Sequence, residues 1–574
     1  MEILKVCLLE NKRTKSMKAE KTKIENMKIK EITGEPAIDL ALDTIGMNKQ
    51  ALVFVNTKRG AEKCAEDISK KLKIENEETR KILDVLSNQM LNALDRPTKQ
   101  CMRLANCVSK GIAFHHSGLH SKQRELVEDS FRDGKIKIIS ATSTLAMGLD
   151  LPAFRAIIRD LKRFGHHGMS DIPVLEYLQM CGRAGRPKYD SYGEAIAVAS
   201  KQGEKDRIIS NYMKGEAEDI FSKLAAEPVL RTYVLSLIAS NFVSTEKQLK
   251  DFFSKTFWAH QYGDMSRIEH MIDKVIDLLE DYEFIMVQGR SDEKVVNKSA
   301  SRSSDFVSAS DVCVGSSGDS SNDSTNATKL RATLLGKRVA ELYLDPLTAF
   351  HMVKCLNTGS SREKITAFSL LQMVSATLEM RPLLNVRMSE YDLVQEKLVK
   401  ENDALLMDEP SAFEYDYDEF MNSVKTAMMF DEWIDEKDEE YLLEKYNVRP
   451  GELHYKLSNA DWLLYASEEI ARLLSHQKLL KDLSKLRFRI KYGVKEELLT
   501  LLKIPDVGRV RARKLYLSGI KDIAGVKNAD LTTLTQLLGK QIALKVKKAV
   551  GEDFEKMPVS DGKRKGQLGL GKYE

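Results

Sequence analysis

Leu52-Val53-Phe54-Val55 is an uninterrupted apolar run near the start of the chain. Such a run is typical of a strand that is buried on both faces of a parallel sheet. Similar strand-like runs follow at residues 111–114, 136–141, 156–158 and 195–199. The stretches between them, such as residues 59–72 and 121–131, have helical spacing. This alternation predicts a doubly wound α/β domain in the first part of the chain.

The pattern changes after residue 204, where strand-like runs nearly vanish and helical spacing dominates. Residues 225–287 hold three helical stretches that end in an apolar run, which is compatible with a winged helix. Residues 299–325 are rich in Ser, Asp, Gly and Asn, and this composition predicts a disordered insertion. Helices resume at residue 329, and a compact block at residues 496–551 precedes a polar tail.

Composition limits the class of protein. A length of 574 residues predicts about four domains. An apolar fraction of 43% with 30% charged residues is typical of a soluble globular protein, and no apolar run is long enough to predict a membrane span. The seven cysteines form no CxxC pair, which argues against a metal centre and for a reducing, cytoplasmic location.

Charge is distributed unevenly although its sum is only +4. Acidic residues dominate between residues 403 and 440, whereas residues 478–521 are dense in Lys and Arg and can attract phosphate groups locally. In residues 1–30 a short apolar patch comes before the basic stretch, which is the reverse of a signal peptide. We therefore expect residues 1–30 to be a basic leader in which residues 12–30 are solvated or frayed.

The sharpest chemical signal is Gln179-Met180-Cys181-Gly182-Arg183-Ala184-Gly185-Arg186-Pro187. Arg183 and Arg186 are framed by glycines and can both face a phosphate that enters from one side. Guanidinium groups stabilise the charge of a transferring phosphoryl group. A plain Arg/Gly surface turn is the alternative interpretation.

Polar residues follow the predicted strands, where ligand sites of open α/β sheets lie. Thr142 and Thr144 can donate hydroxyl hydrogens to a nucleic-acid phosphate, and Asp150 can accept from a ribose hydroxyl. Asn56-Thr57 and His115-His116 follow two further strands. No carboxylate or cysteine completes a metal ligand set beside the two histidines, so polar contacts to a nucleic-acid backbone are the favoured interpretation.

In this order and spacing, the segments resemble the later motifs of the second RecA-like domain of superfamily 2 helicases. The fuller match is to the archaeal Ski-type DNA repair helicases, relatives of the metazoan HELQ enzymes. The resemblance rests on Asn56-Thr57-Lys58-Arg59, Phe114-His115-His116-Ser117-Gly118-Leu119 and Gln179-Met180 with the arginine turn, and it covers residues 31–550.

The resemblance implies specific roles. Arg183 and Arg186 would be arginine fingers, Gln179, Gly148 and Asp150 would lie near the nucleotide, and Thr142 would contact the DNA strand. The family usually has Asn at the position of Asp150. The residues predicted to bind nucleic acid through this set of motifs are Asn56, Thr57, His116, Thr142 and Thr144.

Two further segments match family features. Residues 163–169 are predicted to form a turn between extended segments and resemble the β-hairpin that parts the duplex, with Phe164 as the stacking residue. Residues 453–474 are predicted to form a long helix that resembles the ratchet helix, on which Trp462 would stack on a base. Lys456 or His454 would contact phosphate there. A packed Phe and a core Trp are the alternatives.

Residues 504–516 have helix–hairpin–helix character, in which backbone N–H groups and a helix N-terminus can approach a phosphate. Arg509, Arg511 and Arg513 would add salt-dependent affinity, although a plain basic helix is the alternative. The last eight residues faintly resemble a peptide that binds a sliding clamp, which makes the clamp a candidate partner.

A P-loop of the form GxxxxGK[ST] and an acidic box are absent from the 574 residues. In the family these elements belong to a first RecA-like domain, which holds ATP and Mg²⁺. We therefore expect this chain to supply one wall of a shared ATP site, with a P-loop-bearing helicase half as partner. A split gene, a fragment and a degenerate binding module all remain open.

The resulting prediction is the C-terminal half of an ATP-dependent 3′–5′ DNA helicase of repair or fork processing. The alternatives are a non-catalytic nucleic-acid-binding module and part of an RNA-remodelling Ski-type helicase. The predicted fold is an α/β RecA-like domain with a parallel sheet followed by mainly α domains. The predicted segments are a basic leader (1–30), the second RecA-like domain (31–213), a winged helix (214–330) with a Ser-rich insertion (291–328), a ratchet bundle (331–492), a helix–hairpin–helix domain (493–555) and a flexible tail (556–574).

Overall fold

The computed structural model describes residues 2–8, 23–94, 96–165, 168–186, 190–289, 328–363 and 365–551. Its strands are β1 (Glu2–Leu8), β2 (Lys23–Lys28), β3 (Ala51–Phe54), β4 (Ile112–His115), β5 (Ile138–Ala141), β6 (Arg155–Ile158), β7 (Lys162–Gly165), β8 (Gly168–Asp171), β9 (Gly193–Ala197), β10 (Ile285–Gln288) and β11 (Lys329–Ala332). The predicted Ser-rich insertion, apart from its last residue, and the predicted tail lie outside the described residues.

A seven-stranded sheet with the order β2-β1-β9-β6-β3-β5-β4 forms the centre of the first part of the chain. The five strands from β9 to β4 are mutually parallel. Every residue of these five strands is buried, because helices cover both faces. All five strand-like runs found in the sequence are strands of this sheet, so the predicted parallel α/β domain is confirmed.

The N-terminal residues differ from the expected frayed leader. Strands β1 and β2 pair with each other in antiparallel fashion, and β1 also pairs antiparallel with β9. They extend the sheet by an antiparallel ribbon at the edge beside β9. The expectation of a frayed leader over residues 12–30 is therefore wrong for β2, because the edge of the sheet offers a row of backbone hydrogen-bonding groups with which this ribbon pairs.

Seven helices accompany this sheet: α1 (Pro36–Gly46), α2 (Lys58–Ser69), α3 (Glu77–Leu91), α4 (Lys99–Val108), α5 (Ser121–Arg132), α6 (Val174–Cys181) and α7 (Gln202–Ile208). Their apolar faces and the strands form one core. Arg155 on β6 lies within this core, and its guanidinium donates to Glu194 (2.9 Å) and Asp43 (2.9 Å). Such a buried cation is tolerated because carboxylates surround it.

The rest of the chain is mainly helical, as the sequence predicts. The helices are α8 (Glu227–Ala239), α9 (Glu246–Ser254), α10 (Phe257–Tyr262), α11 (Met265–Asp281), α12 (Leu334–Glu341), α13 (Pro346–Ser361), α14 (Ala367–Ser375), α15 (Tyr391–Glu401), α16 (Tyr417–Ile434), α17 (Glu439–Tyr446), α18 (Pro450–Leu473), α19 (Gln477–Tyr492), α20 (Arg509–Leu517), α21 (Ile523–Asn528), α22 (Leu531–Leu538) and α23 (Lys540–Ala549). Four helices, rather than the three expected, precede the antiparallel pair β10–β11.

The chain divides into two compact units. The first unit joins Met1–Phe221 to Asp438–Lys456, and the second joins Ser222–Lys437 to Leu457–Glu574. Helix α17 and the first turns of α18 therefore belong to the α/β unit, although they are far from it in sequence. The limits predicted for the individual domains stay predictions. No helix among the described residues is long and apolar enough to cross a bilayer.

Candidate nucleotide and nucleic-acid interfaces

The polar residues that follow β3, β4 and β5 lie at one edge of the sheet. In the sheet register Phe54 and His115 each pair with Ala141, so the three strands end together. Asn56, Thr57 and Thr142 come directly after these ends. This placement is the one expected for a ligand site in an open parallel sheet.

The pair Thr142 and Thr144 retains one hydroxyl hydrogen for a ligand. The hydroxyl oxygens of Thr142 and Thr144 lie 2.9 Å apart, so one hydroxyl donates to the other. The other hydroxyl hydrogen is therefore available to an acceptor such as a phosphate oxygen. Thr144 is exposed and Thr142 is half-buried at the start of the short 3₁₀ helix Ser143–Ala146.

Asn56 and Thr57 are both exposed at the end of β3. The Asn56 backbone N–H donates to Asp160 (3.1 Å), which fixes the turn. The Thr57 hydroxyl oxygen accepts the N–H of Gly60 (2.9 Å) and so caps α2. The Asn56 side chain remains on the surface, where a nucleic-acid backbone can reach it.

His116, in contrast, is fully buried, so the prediction that it contacts nucleic acid is wrong. Its Nδ1 accepts the Gly118 N–H (3.1 Å), and its Nε2 lies 3.2 Å from a Glu62 carboxylate oxygen. The ring also stacks on Phe114 at 5.6 Å. Burial lowers the pKa of His116. The residue is part of an internal polar network.

Glu62 is the centre of that network and was not found from the sequence. Its carboxylate accepts from Gln100 (2.8 Å) and Arg103 (2.5 Å), and it lies 3.4 Å from Arg449. Burial alone would raise the pKa of Glu62, but the hydrogen bonds and positive charges around it lower the pKa to about 2. The signal that could have revealed it is a carboxylate among the apolar residues of α2, between Ala61 and Ala65.

The same network anchors the start of α18. The Gly451 N–H donates to the Gly118 carbonyl (3.0 Å). A Cβ atom on Gly451 would lie 2.3 Å from the Leu119 carbonyl oxygen, so only glycine allows this approach. Lys58 also forms an ion pair with Glu452. The turn after β4 therefore contacts the first turn of α18 and holds it in place.

The arginine turn begins where α6 ends. Arg183 donates to the Ala146 carbonyl through Nε (3.2 Å) and through a terminal nitrogen (2.6 Å). Its side chain is 23% exposed and lies 3.9 Å from Asp150, which is 97% exposed. Two backbone hydrogen bonds to Ala153 hold the turn in place. Arg183 is thus partly accessible and bound to a neutral acceptor.

Arg186 has a different environment. It donates to Asp190 (2.7 Å) and to the side chain of Gln50 (2.6 Å). Asp190 is 1% exposed and also pairs with Lys49 at 2.5 Å. Burial would raise the pKa of Asp190, but hydrogen bonds from Arg186 and Lys49 keep it below its usual value. The two predicted fingers are therefore held by different partners, and Asp190 is a positioning residue that the sequence did not reveal.

The residues predicted to lie near the nucleotide are all exposed. Gln179 is on the surface of α6, one turn before Arg183. Gly148 adopts a left-handed conformation (φ +80°) in open space, which suits a close backbone approach. With Asp150 they flank the arginine turn on the exposed side of the α/β unit.

The predicted hairpin is present. Strands β7 and β8 pair in antiparallel fashion, with Phe164 opposite Met169 and Gly165 opposite Gly168. Met169 is exposed on the second strand. The two turn residues and the position of the Phe164 side chain lie outside what the structure describes. The stacking role of Phe164 stays a prediction.

On α18, Trp462 is half-buried, and its indole N–H donates to the Leu342 carbonyl (3.2 Å). This hydrogen bond fixes the orientation of the indole ring. The stacking of Trp462 on a base stays a prediction. Lys456 is only 6% exposed, and burial lowers its pKa to about 8. The expected phosphate contact of Lys456 therefore needs correction, because its ammonium group faces the interior. His454 is exposed.

The three arginines of α20 also differ. Arg513 pairs with Glu436 (2.8 Å) and Glu497 (2.6 Å). Arg509 lies over the Trp433 ring at 4.8 Å and donates to a backbone carbonyl. Both side chains therefore join the C-terminal helices to the end of α16, and their contact with DNA stays a prediction. Arg511 is exposed and suits that role.

We expect Arg511→Ala to weaken binding to a single-stranded oligonucleotide and to reduce the salt slope of the affinity by about 0.7, because one phosphate contact is lost. Arg513→Ala should instead lower the melting temperature, because Glu436 loses its ion-pair partner. Fluorescence anisotropy at several salt concentrations and thermal unfolding separate the two effects. Equal salt slopes for wild type and Arg511→Ala would contradict the assignment.

The parallel α/β domain and the mainly helical remainder of the chain match models of helicase domains, which places the chain in the helicase class. Three family models match: the helicase conserved C-terminal domain at residues 67–188, a helix-turn-helix domain at residues 193–286 and the archaeal helicase domain 4 at residues 368–493. The chain belongs to the archaeal Hel308 family of superfamily 2 DNA helicases.

The similarity to curated relatives extends over most of the chain. The chain is 37% identical over 528 residues to the ATP-dependent DNA helicase Hel308 of Methanococcus vannielii. This alignment covers 90% of the chain and 68% of the relative. The chain is 35% identical over 536 residues to the Hel308 of Pyrococcus abyssi, covering 92% of this chain and 67% of the relative. The chain thus spans about two thirds of the length of these relatives.

Proposed function

We propose that the chain supplies the arginine fingers and the DNA grip of an ATP-dependent 3′–5′ DNA helicase that acts in repair or fork processing. The observation that carries the proposal is the arginine turn, where Arg183 rests on a backbone carbonyl beside the exposed residues Asp150 and Gln179. The relation to HELQ-type enzymes, the strand polarity and the repair role rest on the family resemblance.

The residues around the turn fit a nucleoside triphosphate. Arg183 and Arg186 offer guanidinium donors to phosphate oxygens, and Asp150 can accept from a ribose hydroxyl. In this proposal a P-loop-bearing RecA-like domain, which is not among the 574 residues, holds the phosphates together with Mg²⁺. ATP supplies the free energy of hydrolysis when it is bound between the two domains.

The helical domains would hold the strand. Helices α8–α11 with β10 and β11 are proposed as a winged helix, residues 331–492 as a ratchet bundle and residues 493–555 as a helix–hairpin–helix domain. The anchoring of Arg449 and Gly451 on the α/β unit supports a mechanical link, because α18 begins there and carries Trp462 just over three turns later. Movement of the α/β unit would thereby be transmitted to the strand on α18.

The proposal is tested by mixing the chain with the P-loop-bearing domain of a Hel308 relative and measuring ATP hydrolysis. We expect hydrolysis to rise only when both proteins and single-stranded DNA are present. Binding of DNA without any stimulated hydrolysis would identify a binding module instead. Stimulation by RNA but not by DNA would favour an RNA-remodelling function. Hydrolysis by the purified chain alone would contradict the shared ATP site.

A further inference from the structure

Phe488 has an unusual position on α19. The buried residues of this helix, Leu479, Leu483, Leu486 and Ile490, share one face. With about 100° of rotation per residue, Phe488 points almost directly away from that face. It is 51% exposed, so core packing does not explain a phenylalanine at this site.

Lysines surround this phenylalanine on the same outer surface. Lys478, Lys481 and Lys485 are exposed and precede Phe488 at helical spacing, and Lys491 follows it one turn later. Together they span about 20 Å of helix at 1.5 Å per residue. We call these four lysines and Phe488 the α19 stripe.

The positive charge of the α19 stripe is only partly neutralised within the protein. Lys485 pairs with Glu496 at 2.6 Å. Within the described part of the chain, neither Lys478 nor Lys481 has a carboxylate partner. The arginines of α19, in contrast, bond to groups of the protein itself. Arg487 pairs with Asp461 (3.1 Å), and Arg489 donates to the Val494 carbonyl (3.2 Å).

We propose that the α19 stripe is a binding site for a single strand of nucleic acid, separate from Trp462 on α18. The lysines would contact successive phosphates, and the Phe488 ring would stack on a base. An exposed aromatic ring within a row of cations is the combination that binds single strands without sequence preference. An acidic protein would also be attracted by the lysines, but a nucleic-acid strand carries a flat base beside every phosphate, which suits a ring that stands within a row of lysines. The inference rests on the nucleic-acid part of the proposed function and needs no ATP.

The test uses the full chain and a fluorescein-labelled 20-nucleotide oligothymidylate, with anisotropy measured at several salt concentrations. We expect Phe488→Ala to weaken binding roughly 5- to 150-fold, the range for loss of one stacked base. Phe488→Trp should retain affinity, whereas Phe488→Leu should not. The Lys478→Ala, Lys481→Ala double variant should reduce the salt slope by about 1.4, because two phosphate contacts are lost.

A matched control is Val399→Ala with Lys400→Ala, an exposed apolar residue and a lysine on the surface of α15. This control should leave the affinity unchanged. Wild-type affinity of Phe488→Ala, even with a reduced salt slope in the lysine variant, would overturn the proposal, because charge alone would then explain binding. Displacement of the oligonucleotide by polyglutamate at equal charge would also overturn it.

The outcome is distinguishable from that of the helicase proposal. If the stripe variants lose oligonucleotide binding while the mixed proteins show no stimulated ATP hydrolysis, the binding site on the α19 stripe is supported and the helicase proposal is contradicted. If hydrolysis is stimulated while the stripe variants bind the oligonucleotide normally, only the binding site on the α19 stripe is contradicted.

Discussion

Replacing Arg183 and Arg186 together with alanine is expected to abolish the DNA-stimulated ATP hydrolysis measured with a P-loop-bearing partner domain. An arginine that stabilises a transferring phosphoryl group contributes on the order of 10³–10⁵ in rate. Arg183 is partly exposed and bound to the neutral carbonyl of Ala146, an acceptor that it can exchange for a phosphate oxygen. The turnover number with saturating single-stranded DNA is the quantity to measure.

The single variants should behave differently. Arg183→Ala is expected to lower turnover with little change in thermal stability. Arg186→Ala should lower both, because the buried Asp190 carboxylate would lose one of the two charged partners that it has among the described residues. Asp190→Asn tests this directly, since it should lower turnover by releasing Arg186 from its position. Arg186→Lys should recover part of the stability but not the bidentate geometry.

Arg132→Ala is a suitable control because Arg132 is an exposed arginine of the same domain that pairs with Asp129 at 2.7 Å. Its turnover should equal that of wild type. Full DNA-stimulated hydrolysis in the Arg183→Ala, Arg186→Ala double variant would show that the turn does not act on the nucleotide.

The parallel sheet could be predicted because burial on both faces leaves a simple pattern in the sequence. Leu52–Val55 and residues 156–158 are apolar throughout, and a strand of a covered parallel sheet needs no polar alternation. The helix–strand order then fixed the class of fold. Strands β1 and β2 were missed, because a short apolar patch beside a basic stretch carries no information about which sheet edge it can pair with.

The candidate site was predicted less completely. Arg183, Asp150 and Thr144 could be named as candidates because their chemistry is readable from residue type and spacing. Glu62 and Asp190 were missed, because a buried carboxylate looks like a surface carboxylate in a sequence. Their partners come from distant segments, and only the fold brings these together.

The same limit explains why the partners of two cations were not foreseen. Arg513 was expected to contact DNA because the segment around it is basic. Glu436, which pairs with it, lies in the acid-rich stretch that the sequence shows as a separate feature. Lys456 was assigned to the surface of α18, but it lies on the buried side of that helix. Charge density along a sequence does not reveal which charges meet in the folded protein.

Replacing Glu62 with alanine is expected to destabilise the α/β unit by about 3–5 kcal/mol at neutral pH, because removal of one partner leaves the others buried and uncompensated. The buried partners are His116 and Arg449, whereas Arg103 is 41% exposed and keeps its ion pair with Glu66. The free energy of unfolding from urea titration of the full chain measures the effect. Glu66→Ala is the matched control, since Glu66 lies one turn along α2 and also pairs with Arg103, but is more exposed. It should cost less than about 1 kcal/mol.

The contribution of Glu62 should depend on pH in a defined direction. Its pKa is about 2 in the folded protein, below the ordinary value of 4.5. A group whose pKa is lowered by folding stabilises the protein above its unfolded pKa and loses that contribution as the pH falls through the folded value. The difference between wild type and Glu62→Ala should therefore be full above about pH 5 and should shrink steadily between pH 4.5 and 2.

Glu62 should also affect how hydrolysis is coupled to strand movement, because its network holds Arg449 at the start of α18. In the presence of the P-loop-bearing partner, Glu62→Gln is expected to retain DNA-stimulated hydrolysis while duplex separation falls, since the carboxamide keeps the shape of the side chain but not its charge. A hydrolysis rate and an unwinding rate that fall in equal proportion would indicate simple loss of folded protein. An unwinding rate per ATP equal to that of wild type would exclude a role of this anchor in coupling, and Glu66→Ala provides the baseline for both rates.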